Sequence, residues 1–201
     1  MSTEQPELAV AAKIVAAVDR IARGVRAHRQ TVAAAAGISV LQSELLRVLA
    51  RGHPPAYAGS LALELGVSQP TASDSLAALV RKRYVARATN PTDRRRTEFV
   101  LTDAGAELAT ELDRADSVLV AATARLPEPD QERTLRLLLE LIGGLLDGGV
   151  LAVARTCPTC RFFEESGSGA RCALLGTALP VREFRVDCPE HQRGERHQAA
   201  R

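Results

Sequence analysis

Leu61-Ala62-Leu63-Glu64-Leu65-Gly66-Val67-Ser68-Gln69-Pro70-Thr71-Ala72-Ser73, followed by Leu76, Leu79 and a cluster of basic residues, is the most specific local pattern in this chain. Leu61, Ala62 and Leu65 fall at helical spacing on one face of a short helix. Gly66 follows where the chain must turn through a left-handed residue, a conformation glycine takes without steric cost. Ser68 is placed to cap a second helix, and Pro70 is tolerated in its first turn because the amide there has no intrahelical partner. Ala72, Leu76 and Leu79 then form a buried stripe, leaving Gln69, Thr71, Ser73 and Asp74 to point outward. Two short helices, a glycine turn and a small polar face predict a helix-turn-helix whose second helix enters the DNA major groove.

The residues that follow predict a wing. Tyr84 to Ala88 alternates like a strand, Arg96 to Leu101 reads as its return partner, and Asn90-Pro91-Thr92-Asp93 has turn chemistry. Asp93-Arg94-Arg95, and then Leu101-Thr102-Asp103-Ala104-Gly105, resemble the MarR family of bacterial transcriptional regulators, over roughly residues 8 to 147. The expected fold is mainly α with a small β wing (α+β): a winged helix-turn-helix flanked by N- and C-terminal helices. The resemblance implies that those helices join two copies into a homodimer, and that a small ligand binds in the cleft between them and the winged domain. It also implies that Arg94 and Arg95 reach into the minor groove, where narrow A·T tracts strengthen the negative potential.

The candidate DNA-binding residues are Ser68, Gln69, Pro70, Thr71, Ser73 and Asp74 on the second helix, Arg81 and Lys82 at its end, and Arg94, Arg95 and Arg96 on the wing. Glutamine is an adenine reader in the major groove. Asp74 departs from the basic residue common in the family, and either accepts from cytosine or pairs with a neighbouring arginine. Asp93 braces an arginine instead of touching DNA.

Charge supports the same face. The net charge is only +2. Between Gly66 and Thr97, however, Arg81, Lys82, Arg83, Arg87, Arg94, Arg95 and Arg96 stand against Asp74 and Asp93, whereas Glu98 to Asp116 is acidic. Such asymmetry is the electrostatic footprint of a phosphate-binding surface. Aromatics make up 3% of the residues and tryptophan is absent, so the core must be built from Leu, Val, Ile and Ala, which suits helices.

A length of 201 residues fits one domain with a small appendage. The expected division is a winged-helix domain over 1–147, with its DNA-binding core at about 39–101, and a tail over 148–201 that is disordered beyond about 193. Pro6 to about Ala35 is helical, with Gly24 permitting a kink. A helix opens at Ser39, turns Leu41, Leu45, Leu46 and Leu49 inward, and ends over Gly52 to Pro55. Thr102 caps a long helix to about Ala124. After Pro127-Glu128-Pro129, another runs from Asp130 to Asp147 and can extend through Val150 to Arg155. That last helix is apolar over most of its circumference, so either the tail covers it or it packs against another chain. The resemblance favours the second. No secretory signal opens the chain, and Leu135 to Ala154 is interrupted by charges, so a cytoplasmic protein without membrane association is expected.

All four cysteines lie in the tail, as Cys157-Pro158-Thr159-Cys160, Cys172 and Cys188. The first pair can converge on one ion, and the glycine-serine loop from Ser166 to Gly169 can fold the chain back to bring the other two. A Cys₄ site of this kind suits structural zinc, and fewer than fifty residues with few apolar side chains need a staple. An iron–sulfur cluster is the competitor, because Cys157-x-x-Cys160 followed by Arg161-Phe162-Phe163 looks like the binding segment of small high-potential iron–sulfur proteins. Thiol or disulfide switching is the third reading. His191 can replace a cysteine, or serve as a neighbour of the site. His28 and His53 read as ordinary helix and loop residues.

An enzyme is disfavoured: the chain has no glycine-rich phosphate loop, no nucleophile elbow and no βαβ context for a thioredoxin-like Cys-x-x-Cys. Three functions stay open. The first is a homodimeric regulator, a repressor, on a pseudo-palindromic operator in double-stranded DNA, with a structural or sensory tail. The second is a module contacting the transcription machinery with weak DNA specificity. The third is a redox or iron–sulfur protein built on a winged helix.

Overall fold

The computed structural model describes residues 5–53, 56–89, 97–167 and 169–194. The expected disorder beyond about 193 falls largely outside them. Seven helices and five short strands make up the described chain, mainly α with a small β component, as expected.

Helix α1 (Gln5–Ala35) runs without a break through Gly24. Ser39 then caps α2 (Val40–Arg51) in a reciprocal capping box with Gln42, and Gly52 ends it in the left-handed region at φ 73°. Helices α3 (Ala58–Leu65) and α4 (Gln69–Arg81) follow, joined through Gly66 at φ 63°. Strands β1 (Val85–Thr89) and β2 (Thr97–Leu101) pair antiparallel, from Val85 opposite Leu101 to Thr89 opposite Thr97. The Phe99 amide on β2 also donates to the Ala56 carbonyl, at 2.9 Å. One core unites these elements: Leu45, Leu46, Leu61, Leu76 and Leu79 are fully buried, with Ala33, Ile38, Val85, Phe99, Leu108 and Leu112 packed around them.

The long helix expected from Thr102 to about Ala124 is interrupted. Thr102 does cap α5 (Asp103–Ala115), but Asp116 breaks the run before α6 (Ser117–Thr123). Side chains from two other helices explain the break. The His28 Nε2 lies 3.0 Å from the Ala115 carbonyl oxygen, while Arg29 and Arg47 each reach the Asp116 carboxylate at 3.0 Å. Arg47 is itself buried, and also bonds Asp113 and the Leu112 carbonyl, both at 2.6 Å.

Helix α7 (Glu128–Asp147) does not continue through Val150 to Arg155. Gly149 turns left-handed at φ 70°, and the amides of Val150 and Leu151 both fold back onto the Leu145 carbonyl. Beyond it, the tail forms a three-stranded antiparallel sheet, β3 (Phe163–Ser166), β4 (Gly169–Cys172) and β5 (Thr177–Ala178). Ser166 pairs with Gly169, so the glycine-serine loop does fold the chain back.

The tail covers part of the apolar α7. Leu139 and Leu146 are buried. Leu139 belongs to a small core with Cys157 and Phe184, against which Leu135, Ile142, Phe163 and Leu179 pack. Phe163 meets Phe184 edge-to-face, with centroids 5.2 Å apart. Ion pairs from Arg136 to Glu165 at 2.7 Å and from Arg182 to Glu132 at 3.0 Å reinforce this docking. The tail thus takes its core from α7. The other face of α7 keeps Leu137, Leu138 and Leu141 exposed, as α1 keeps Val10, Ile14, Val18 and Ile21. Among the described residues no single helix is long and apolar enough to cross a membrane.

Candidate functional site

Local chemistry positions α4. The Ser68 hydroxyl accepts the Thr71 amide at 3.3 Å and lies 2.7 Å from the Thr71 hydroxyl. A serine cap of this kind contributes about 1 kcal/mol. Burial of Ala72, Leu76 and Leu79 rotates the helix so that Gln69, Pro70, Thr71 and Asp74 are exposed and Ser73 half-exposed. Tyr57, Gly59, Ser60, Gln69, Ser73, Arg87 and Thr97 line one open groove, of about 810 Å³, between the start of α3, the start of α4 and the wing strands. Tyr57 closes its far wall with a hydroxyl that donates to Glu98 at 2.9 Å.

Arg87 is the residue that the sequence reading left out of its candidate set. It is exposed on β1, opposite Phe99, whose ring is in the core. Alternation puts Arg87 on the same face as Val85 and its partner Phe99, so the period-2 pattern alone does not mark it as exposed; it reaches the groove at the open end of the hairpin, and its signal in the sequence was its charge within the basic run. Arg81 is exposed at the end of α4. Lys82, expected on the DNA face, has internal partners: its Nζ donates to the Gly37 carbonyl at 2.5 Å and to Gln42 Oε1 at 3.2 Å, tying α4 to the α1–α2 turn. Arg94, Arg95 and Arg96, with Asp93, lie outside the described residues.

The joint between wing and α5 is tight. The Thr102 hydroxyl donates to the Arg83 carbonyl at 2.7 Å and accepts the Gly105 amide at 3.1 Å, while the Thr102 amide bonds the Tyr84 carbonyl at 3.1 Å. A Cβ on residue 105 would stand 1.9 Å from the Tyr84 oxygen, so only glycine fits there.

In the tail, Cys157, Cys160, Cys172 and Cys188 all line a single cavity of about 360 Å³, with Phe162, Leu174, Leu175, Leu179 and Arg185 among its other walls. The Arg185 amide donates to Cys157 Sγ at 3.1 Å, and its guanidinium approaches Cys188 Sγ at 3.7 Å. Burial pushes the Cys157 thiol up from its ordinary value, against the lowering effect of the Arg185 amide. Among the described residues, no three His, Cys, Asp or Glu side chains are grouped so as to hold one metal ion. The His191 Nε2 lies 3.0 Å from the buried Thr159 hydroxyl. His28 and His53 face Ala115 and Asp187, as helix and loop residues do.

Similarity to known proteins points the same way. The segment over residues 36–96 matches the model of the MarR family. A MarR family transcription regulator of known structure superposes with a TM-score of 0.64 at 21% identity, covering 74% of this chain and 98% of that one. S. aureus MepR in complex with DNA gives 0.56 at 21%, covering 64% and 93%. CouR from Rhodococcus jostii RHA1, bound to p-coumaroyl-CoA, gives 0.55 at 19%, covering 64% and 90%. No match is found among curated proteins. The structural likenesses establish the fold, a winged helix-turn-helix of the kind seen in MarR family regulators, and the segment over residues 36–96 is similar in sequence to that family.

Proposed function

We propose that the protein is a DNA-binding transcription regulator that acts as a homodimer on a pseudo-palindromic operator, repressing by occupying it. The observation that carries this reading is the start of α4. Gln69 and Ser73 line an open groove that also holds Arg87, so base-edge readers and a phosphate partner face one space. Base readout is assigned to Gln69 and Ser73, and phosphate contact to Thr71, Arg81 and Arg87. The wing arginines Arg94 and Arg95 are assigned the minor groove.

Apolar surface that the single chain leaves open supports dimerisation. Val10, Ile14, Val18 and Ile21 recur at helical spacing along α1 and are between 37% and 65% exposed. Leu137, Leu138 and Leu141 on α7 are similarly open. A second copy of the chain is the occupant we assign to both stripes, since the family's regulators pair through these helices. Two-fold symmetry then spaces the recognition helices about one helical turn apart. A small-molecule effector belongs to this reading as well. The cavity of about 420 Å³ between α6, α7 and Arg182 lies in the size range of small-ligand sites.

The test is binding to a selected pool of duplexes, followed by titration against salt. A specific binder enriches a pseudo-palindrome, and Gln69→Ala relaxes the preference at one base pair per half-site. No enrichment, with binding that depends only on salt, would refute operator recognition.

A further inference from the structure

We infer that the cysteine-lined cavity holds a four-iron iron–sulfur cluster, and that two ion pairs report its presence to the helix-turn-helix. The spacing of the donors decides the guest. Tetrahedral zinc at about 2.3 Å from each sulfur draws four thiolates to about 3.8 Å from one another and leaves no void between them. Here, among the described residues, no three donors are grouped to hold one ion, yet all four thiols line one open cavity of about 360 Å³ whose walls include Phe162, Leu174, Leu175 and Leu179 as well as Glu183 and Glu190. A cluster takes one cysteine at each iron, and so suits four thiols set apart around one space.

Backbone hydrogen bonds hold the donors in place. Cys157 and Cys160 flank one tight turn, in which the Cys160 amide bonds the Cys157 carbonyl at 3.0 Å. Cys172 ends β4, and its carbonyl accepts the Gly176 amide at 2.8 Å. The Cys188 amide is bonded to the Arg155 carbonyl at 2.9 Å. The N–H groups that Arg185 directs at two of the sulfurs are of the kind that stabilise a negatively charged cluster–thiolate assembly.

The same segments touch the DNA-binding domain. Arg155, two residues before Cys157, pairs with Glu64 on α3. Asp187, next to Cys188, pairs with Arg51 Nε at the end of α2 at 2.8 Å and with His53 at 3.5 Å. Arg155 and Asp187 also form a backbone bridge to each other. Ligation of Cys157 and Cys188 therefore holds one clamp closed on α2 and α3, the helices that carry the start of α4. Loss of the cluster frees both strands of the clamp together.

The experiment takes the full chain, purified anaerobically or reconstituted with ferrous iron and sulfide. About four iron and four sulfide per chain, with a broad visible band, are expected. Cys160→Ser and Cys172→Ser should each lose them, while far-UV circular dichroism of the helical domain is unchanged. Stoichiometric zinc without sulfide would overturn the assignment. So would protein that stays metal-free after reconstitution. Iron content is read without DNA, so its failure is distinct from failure of the regulator reading. For the clamp, DNA affinity should differ between loaded and cluster-free protein by about tenfold, within the usual range of coupling between sites. Glu64→Gln combined with Arg51→Gln should erase that difference while iron is retained. A difference that survives the double substitution would overturn the clamp.

Discussion

Replacing Gly105 by alanine probes the joint on which the orientation of the wing depends. The added Cβ would lie 1.9 Å from the Tyr84 carbonyl oxygen and 2.9 Å from its carbon. Real Cβ contacts essentially never fall below 3.0 Å, so α5 and the start of β1 must part by about an ångström. Backbone stands on both sides, and no change of rotamer relieves the clash. Overpacking of this kind costs about 1–3 kcal/mol. Parting the elements also stretches the bonds from Thr102 to Arg83, Tyr84 and Gly105, each with a net contribution of about 1 kcal/mol. Against this, alanine gains up to about 1 kcal/mol of helix propensity over glycine. The net expectation is a loss of about 2–4 kcal/mol, or a fall in Tm of roughly 5–12 °C for a chain of this length. Thermal melts followed by circular dichroism measure it, and Gly105→Ser should behave alike. A melting point within about 1 °C of the parent protein would show that α5 does not press on Tyr84, and would refute the reasoning.

Arg47→Met should cost about 2–4 kcal/mol in urea denaturation, because it strands the Leu112 carbonyl and removes one of two guanidinium partners of Asp116. Asp113 is largely exposed and rehydrates, which holds the figure down; a loss below about 0.5 kcal/mol would contradict the role given to Arg47. Ser68→Ala removes the cap of α4 and should lower stability by about 1 kcal/mol, with Ser68→Asp close to the parent. Ile14→Asp with Ile21→Asp should convert a dimer to monomers in sedimentation velocity, since it places charge on the apolar stripe of α1. A parent protein already monomeric at micromolar concentration would end the dimer reading. Arg87→Glu should weaken binding to all duplexes about equally and reduce the salt slope by about one or more.

What was legible in the sequence was local. The cap at Ser68, the left-handed Gly66 and the stripe Ala72, Leu76 and Leu79 place α3 and α4 because turn chemistry and helical periodicity act within a few residues. The Thr102 cap and the hairpin are visible for the same reason, and the tail cysteines, which the sequence gathers in one segment, line one cavity. Long-range contacts settled the rest. The break at Asp116 depends on Arg29, a residue 87 positions away, and on His28 and Arg47, whose charges and ring have no local signature at residue 116. Lys82 reads as one more cation of a basic face until the fold brings it to the Gly37 carbonyl, 45 positions away. The tail strands form where Leu139 of α7 supplies a core for Phe163 and Phe184, and no window of the tail alone contains that residue. Short-range energies select the helices, caps and turns, and the sequence states these directly. Which side chain meets which across the chain, and so how wide a space the four thiols enclose, is decided only when the buried faces find one another.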